Sequence, residues 1–235
     1  MYIKELWRFP VKSMAGERLK QVSVNELGFA GDRQVLVRGA NGSVVTSRTH
    51  ARLLGLKGTL DPKGEPLISG YAWNSPPALA LVREAVGPGA EVFFYDGPER
   101  FDVLPLLVAT DGAIEAFAHD GRRLRPNIVI GGVEGLAERT WPGKFLRIGE
   151  VLIGIQDLRG RCVMTTYDPD TLEQDPNVLK EILRKFAGKL ALNCFVLKGG
   201  LLREGAPVEL LDQDLLTGNE LAFRLSATES RPHEI

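Results

Sequence analysis

The stretch Gly160-Arg161-Cys162-Val163-Met164-Thr165-Thr166-Tyr167-Asp168-Pro169-Asp170-Thr171 carries the most informative chemistry of the chain. It sets a cysteine beside an arginine, then two hydroxyls, then two carboxylates about a proline. A thiolate is a soft ligand for copper, zinc, iron–sulfur or a higher-valent thiophilic metal, and an adjacent arginine favours thiolate over thiol. The other reading of Cys162 is a buried structural cysteine, since free cysteine is among the most buried residue types. Sequence alone leaves both open. Asp168-Pro169-Asp170 offers acids to a site and is equally good turn chemistry. The second cysteine, Cys194, sits in the alternating pattern Leu192-Asn193-Cys194-Phe195-Val196 and reads as a core residue.

A second group suits anions. Lys12-Ser13, Arg33, Arg48 and Arg52 each fall at an expected strand end, where loops carry function. Guanidinium forks and a lysine hold phosphate and other multi-oxygen anions. Singly, such residues are ordinary solvated surface; together they point to an anion site. Arg125-Pro126-Asn127 precedes the apolar run Ile128–Ile130 and would present donors at a sheet rim, or simply begin an edge strand. Asp102 can accept hydrogen bonds from an amine-rich ligand. The sequence contains no GxGxxG, no GxxxxGK[ST] and no GxSxG, so dinucleotide, P-loop and nucleophile-elbow readings have no support. His50, His119 and His233 are scattered without HxxH or CxxC spacing, which argues against a protein-ligated zinc.

The elements that must position these residues read as mainly β, a β-barrel core with a few short helices and α+β character at the margins. Expected strands are 3–9, 19–24, 34–38, 44–47, 56–60, 91–95, 127–130, 145–148, 151–155, 191–197 and 207–211, with turns at Asn41-Gly42 and Asp61-Pro62. In the first hundred residues the spacing favours a meander or barrel over βαβ units. Helices are expected near 77–86, over 110–118 and over 175–187. The last has Asp175 as cap, Pro176 in the first turn, Leu179, Ile182, Leu183 and Phe186 on one face, and Gly188 at its end. The division expected is 1–100, 101–211 and a polar tail over 212–235 that frays or packs through Leu221, Phe223 and Leu225.

The 235 residues are 44% hydrophobic and 25% charged, an ordinary globular balance. With 29 basic and 30 acidic residues the net charge is −1, so no global basic field invites nucleic acid or an anionic membrane. The start of the chain lacks a secretory pattern, and no apolar run approaches a membrane span. Two cysteines are too few for a disulfide scaffold, so a reducing cytoplasm is expected.

Four motifs in order resemble the MOSC family, named after the C-terminal part of molybdenum cofactor sulfurase. They are Phe9-Pro10-Val11-Lys12-Ser13, Gly31-Asp32-Arg33, Leu124-Arg125-Pro126-Asn127-Ile128-Val129-Ile130 and Arg161-Cys162 through Thr171. The ending Leu202–Leu210 resembles the family's closing strand. The resemblance extends to members pairing an N-terminal MOSC-associated β-barrel region with the MOSC domain, such as mitochondrial amidoxime-reducing components and bacterial proteins that detoxify N-hydroxylated bases. It implies a molybdenum cofactor (molybdopterin) with Cys162 as the metal ligand and catalytic centre. It also implies cofactor contacts from Lys12, Ser13, Arg33, Asp102, Arg125, Asn127, Gly160 and Arg161, to which the anion-site and turn readings add Arg48, Thr165 and Asp168. Pyridoxal phosphate binding comes with the resemblance as a family-level attribute.

Two departures stand out. Val103 and Leu104 follow Asp102 where relatives often carry small polar residues. Arg159 stands three residues before Cys162, where many members have a small residue or a cysteine, which makes it a point where substrate preference and cofactor charge balance can differ. The function expected is reduction of N-hydroxylated small molecules, with electrons from a separate reductase because no cysteine-rich extension follows Leu211. The alternatives are a sulfur carrier using a Cys162 persulfide, and a cofactor-binding module without turnover.

Overall fold

A computed structural model describes residues 1–215. The expected packing of Leu221, Phe223 and Leu225 lies outside the described residues. In chain order the first half contains β1 (Tyr2–Arg8), β2 (Glu17–Leu19), β3 (Gln21–Asn25), β4 (Gly28–Phe29), β5 (Val35–Arg38), β6 (Val44–Val45), β7 (Gly58–Leu60), β8 (Pro66–Ile68), β9 (Tyr71–Ala72), helix α1 (Pro76–Val86) and β10 (Glu91–Phe94). The second half contains β11 (Leu106–Thr110), α2 (Asp111–Phe117), β12 (Ile128–Gly131), β13 (Phe145–Ile148), β14 (Val151–Gly160), α3 (Pro176–Phe186), β15 (Lys189–Lys198), β16 (Gly200–Arg203) and β17 (Glu209–Leu211). The protein is mostly β, and no helix among the described residues is long and apolar enough to cross a membrane.

Eight strands form one sheet in the order β17-β13-β14-β15-β11-β12-β1-β2. The chain leading into β17 lies back along β1. Ile3 N–H donates to Ala206 O at 2.9 Å, Gly205 N–H donates to Ile3 O at 2.7 Å, and Tyr2 bridges Pro207. The sheet thereby curls into a closed barrel without a long free edge. Its interior is apolar, with Ile3, Leu6, Val108, Ile128, Ile130, Ile153, Leu192 and Cys194 fully or almost fully buried. Three smaller antiparallel sheets, β10-β5-β6, β16-β3-β4 and β7-β8-β9, lie outside it. Val11, Val35, Leu53, Ile68 and Val82 form a second core there.

Of the meander or barrel expected for the first hundred residues, no single meander forms: β1 and β2 join the eight-stranded barrel sheet, and the remaining strands form small antiparallel sheets beside it. One connection is a βαβ crossover. β11 runs parallel to β12, with Val108 opposite Ile128, and α2 lies between them. Thr110 caps α2 by accepting the Ala113 N–H at 3.1 Å. β11 is hard to see in sequence because Leu106-Leu107-Val108-Ala109 is an unbroken apolar run, the signature of a strand covered on both faces. In α3, Asp175 accepts the Asn177 N–H at 2.9 Å and Pro176 opens the helix. Its buried stripe is Val178, Ile182 and Phe186. Leu183, expected on that face, is instead 57% exposed.

Candidate functional site

Three chain segments meet at the buried carboxylate of Asp32. It accepts the Phe9 N–H at 2.7 Å and an Asn127 Nδ2–H at 3.3 Å, and it pairs with the Arg33 guanidinium. This ties the exit of β1, the turn before β5 and the start of β12 together. Asn127 is fully engaged: its Oδ1 accepts from Leu107 N–H at 3.2 Å and Arg33 at 3.4 Å, and its amide also donates to Trp7 O at 3.2 Å. The same three segments hold Ser13 (φ 72°), Arg33 (φ 55°) and Arg125 (φ 54°) in the left-handed region. For non-glycine residues that costs about 1–2 kcal/mol each, and such strain clusters where structure serves a site. The Arg33 and Arg125 guanidiniums stand over the Phe9 ring at 5.1 and 4.3 Å from its centre.

From the other side comes β14. Sequence expects it to end at Ile155, where polar residues begin, but it continues to Gly160 with shifts of register between Ile155 and Asp157 and between Leu158 and Gly160. Such irregularities re-aim side chains. They turn the strand from the barrel interior to a pocket rim, and Cys162 follows at once, at the start of a 3-10 turn over Val163–Thr166. Thr165 Oγ1 donates to Cys162 O at 2.8 Å, fixing that turn.

These segments enclose a cavity of about 160 Å³. Of the residues singled out in the sequence, Lys12, Ser13, Arg33, Arg48, Asp102, Arg125, Gly160, Arg161 and Cys162 line it together. Asn127 stands behind Arg33 and does not line it. Thr165 is buried beneath the Cys162 turn. Asp168 forms a turn by accepting the Asp170 and Thr171 N–H groups, each at 3.0 Å, and reaches Arg123 at 3.0 Å. Arg52 is exposed and lies off the pocket. Sequence reasoning missed Arg100 and Arg123, and it flagged Arg159 only as a departure; all three line the cavity. The run Arg122-Arg123-Leu124-Arg125 carried a visible signal, three arginines in four residues.

Charge dominates this cavity. Eight cationic side chains line it against one lining carboxylate, Asp102. Asp102 pairs with Lys12 at 3.0 Å and with Arg48 at 2.6 Å, while Arg159 stands 3.6 Å from it. Burial alone would raise the Asp102 pKa, but Lys12, Arg48 and Arg159 outweigh it and hold the group below the usual aspartate value. Burial pushes Arg125 down to about 9, with Arg33 adding repulsion, and Arg161 down to about 10, with Arg159 adding repulsion. Their fixed partners are single carbonyls, Met14 O at 2.7 Å for Arg125 and Leu124 O at 2.8 Å for Arg161. The buried Nε atoms of Arg123 and Arg161 have no partner among the described residues. Buried cations held this way are stabilised by an incoming anion. A second groove of about 700 Å³ adjoins the cavity, sharing Arg123, Arg125 and Met164 and adding Trp7, Phe9 and Tyr167. Among the described residues no three His, Cys, Asp or Glu side chains gather as a metal cage.

Residues 1–86 match the MOSC N-terminal beta barrel domain and residues 109–209 match the MOSC domain. The chain belongs to the MOSC family. It is 25% identical to mitochondrial amidoxime-reducing component 1 of Mus musculus and of Homo sapiens, across 90% of this chain and 82% and 83% of those proteins. The crystal structure of the YuaD protein from Bacillus subtilis shares the fold, with a TM-score of 0.50 at 12% identity over 90% of this chain and 95% of that one.

Proposed function

We propose that this chain is a molybdenum-cofactor oxidoreductase that reduces N-hydroxylated compounds, with Cys162 as the metal ligand and electrons delivered by a separate reductase. The observation that carries this reading is the meeting of one thiol with eight cations in a single cavity. The donor set fits the cofactor's chemistry. A thiolate suits a thiophilic metal, guanidinium forks suit a phosphate, and the partnerless Nε–H groups of Arg123 and Arg161 offer donors already paid for in burial.

When bound, the molybdenum centre supplies two-electron redox chemistry. The residues supply binding, orientation and electrostatics. Lys12, Ser13, Arg33, Arg125 and Arg161 would hold the phosphate and pterin edge, and Asp102 would orient Lys12 and Arg48. The Thr165–Cys162 hydrogen bond would fix the ligand's turn, and the Arg123–Asp168 pair would fix the loop behind it. Reduction of an N–OH group consumes two electrons and two protons, breaks the N–O bond and releases water. The relatives' name, amidoxime-reducing, matches that chemistry.

The test is elemental analysis of protein purified from a host that makes the cofactor, followed by an amidoxime assay with a supplied electron donor. Roughly one molybdenum per chain, bound through a soft thiolate, together with reduction of the amidoxime to its amidine and water is the expected result. Metal-free protein bearing an adduct of about 32 Da on Cys162, one sulfur atom, would replace this reading with a sulfur carrier.

A further inference from the structure

We propose that Arg159 is a specificity-determining residue that selects substrates carrying an anionic group, a carboxylate above all, beside the N-oxygenated centre. The inference rests on the reductive reading above and names the substrate class of that same pocket.

Arg159 is placed by the last irregular rungs of the β14–β15 ladder, three residues before Cys162. Its Nη1 donates to Asn193 Oδ1 at 3.3 Å. That amide is itself fixed, since Asn193 Nδ2 donates to Asp157 Oδ1 at 2.7 Å. The anchor of Arg159 is therefore rigid but neutral. Among the described residues the carboxylate that Arg159 approaches is Asp102, 3.6 Å from Nη2 and beyond hydrogen-bond reach, and its oxygens are already taken by Lys12 and Arg48.

The other pocket arginines differ. Arg33, Arg48 and Arg123 are closed on Asp32, Asp102 and Asp168, and Arg100 is closed on a set of carbonyls. Arg125 and Arg161 are enclosed, as suits a resident ligand. The Arg159 side chain lines the cavity and keeps 20% of its surface exposed. A planar guanidinium hydrogen-bonded only to a neutral amide, with Asp102 no nearer than 3.6 Å, is suited to take a carboxylate through two hydrogen bonds.

The test uses holoenzyme and two ligands, benzamidoxime and para-carboxybenzamidoxime, with binding read by calorimetry separately from turnover. Wild type should bind the carboxylated ligand roughly tenfold more tightly, in line with a charge-assisted contact. Arg159→Gln should erase that preference by weakening the carboxylated ligand alone, and Arg159→Lys should restore part of it. KM for the carboxylated substrate should rise in Arg159→Gln with kcat little changed. Absence of any preference in wild type overturns the proposal, as does equal weakening of both ligands. Loss of molybdopterin from Arg159→Gln also overturns it, because the residue would then hold the cofactor. If the preference is present but neither ligand is reduced, the reductive reading fails while the selection by Arg159 stands.

Discussion

The two cysteines lie on or just beyond one strand pair and meet opposite surroundings. Cys194, in the middle of β15, stands opposite Ile155 of β14 and Leu106 of β11 with no exposed surface. Its thiol faces Leu192 O at 3.7 Å, and burial pushes its pKa far above the ordinary thiol value. Cys162 follows the end of β14 at Gly160, once the strand has passed its register shifts. The ladder that seals one sulfur in hydrocarbon delivers the other to a cationic cavity. The lesson is that strand register, rather than cysteine itself or local propensity, separates an inert thiol from one that lines the cationic cavity.

The largest test of this contrast is a pair of serine variants. Cys162→Ser should reduce bound molybdenum to background while leaving thermal stability close to that of cofactor-free wild type. Cys194→Ser should keep the metal. Equal metal loss in both, measured by elemental analysis, would dissolve the distinction. Thiol labelling of cofactor-free protein sharpens it. Cys162 should alkylate readily. Cys194 should wait for global opening and react at least ~10³-fold more slowly, given a domain stability of several kcal/mol. Mass spectrometry of timed iodoacetamide digests reads the ratio, and comparable rates would mean that the barrel breathes at its centre.

The same contrast explains what could be read from sequence. α3 was legible because Asp175, Pro176 and a 3.6-residue apolar period agree with one another, and the segment from Gly160 to Thr171 stood out by its chemistry. β11 was not legible, because a doubly covered strand shows no alternation. The second half of β14 was hidden too, because Gln156-Asp157 resembles a strand exit until the ladder with Asn193 and Leu192 is seen. The roles of Asn127 and Thr165 depend on partners far away in sequence or buried beneath a turn, which no local pattern encodes. Leu183 erred the other way: it fits the helical period, but the stripe that packs is centred on Ile182.

A smaller effect is expected at the core cysteine alone. Cys194→Ser places a hydroxyl in the apolar barrel at a cost of roughly 1–3 kcal/mol. Urea denaturation should show a lower midpoint with an unchanged slope. The deficit should be the same at pH 5 and pH 7, because the thiol it replaces is neutral throughout that range. A pH-dependent deficit would indicate that the site is wetter than its burial implies.

At the cationic end the smallest effect has the opposite character. Asp102 has a folded pKa held below its unfolded value by Lys12, Arg48 and Arg159, against the upward pull of burial. Near pH 4 the unfolded chain therefore binds more protons than the folded one, and stability rises with pH. The contribution of Asp102 is complete above the ordinary aspartate pKa, near 3.8, and is lost as pH falls through the lower folded value. Asp102→Asn should cost on the order of 1 kcal/mol at pH 7, since the half-buried Lys12 contact is lost and the Arg48 contact is largely screened. The deficit should shrink steadily on acidification below pH 4, where wild type loses the same interaction. It should also shrink when inorganic phosphate is added, because a bound anion replaces the missing carboxylate charge. Denaturation midpoints over a pH series, with and without phosphate, measure both. A deficit that ignores acid and anion alike would mean that Asp102 acts through packing, and that the pocket's electrostatics differ less from the core's than the eight surrounding cations imply.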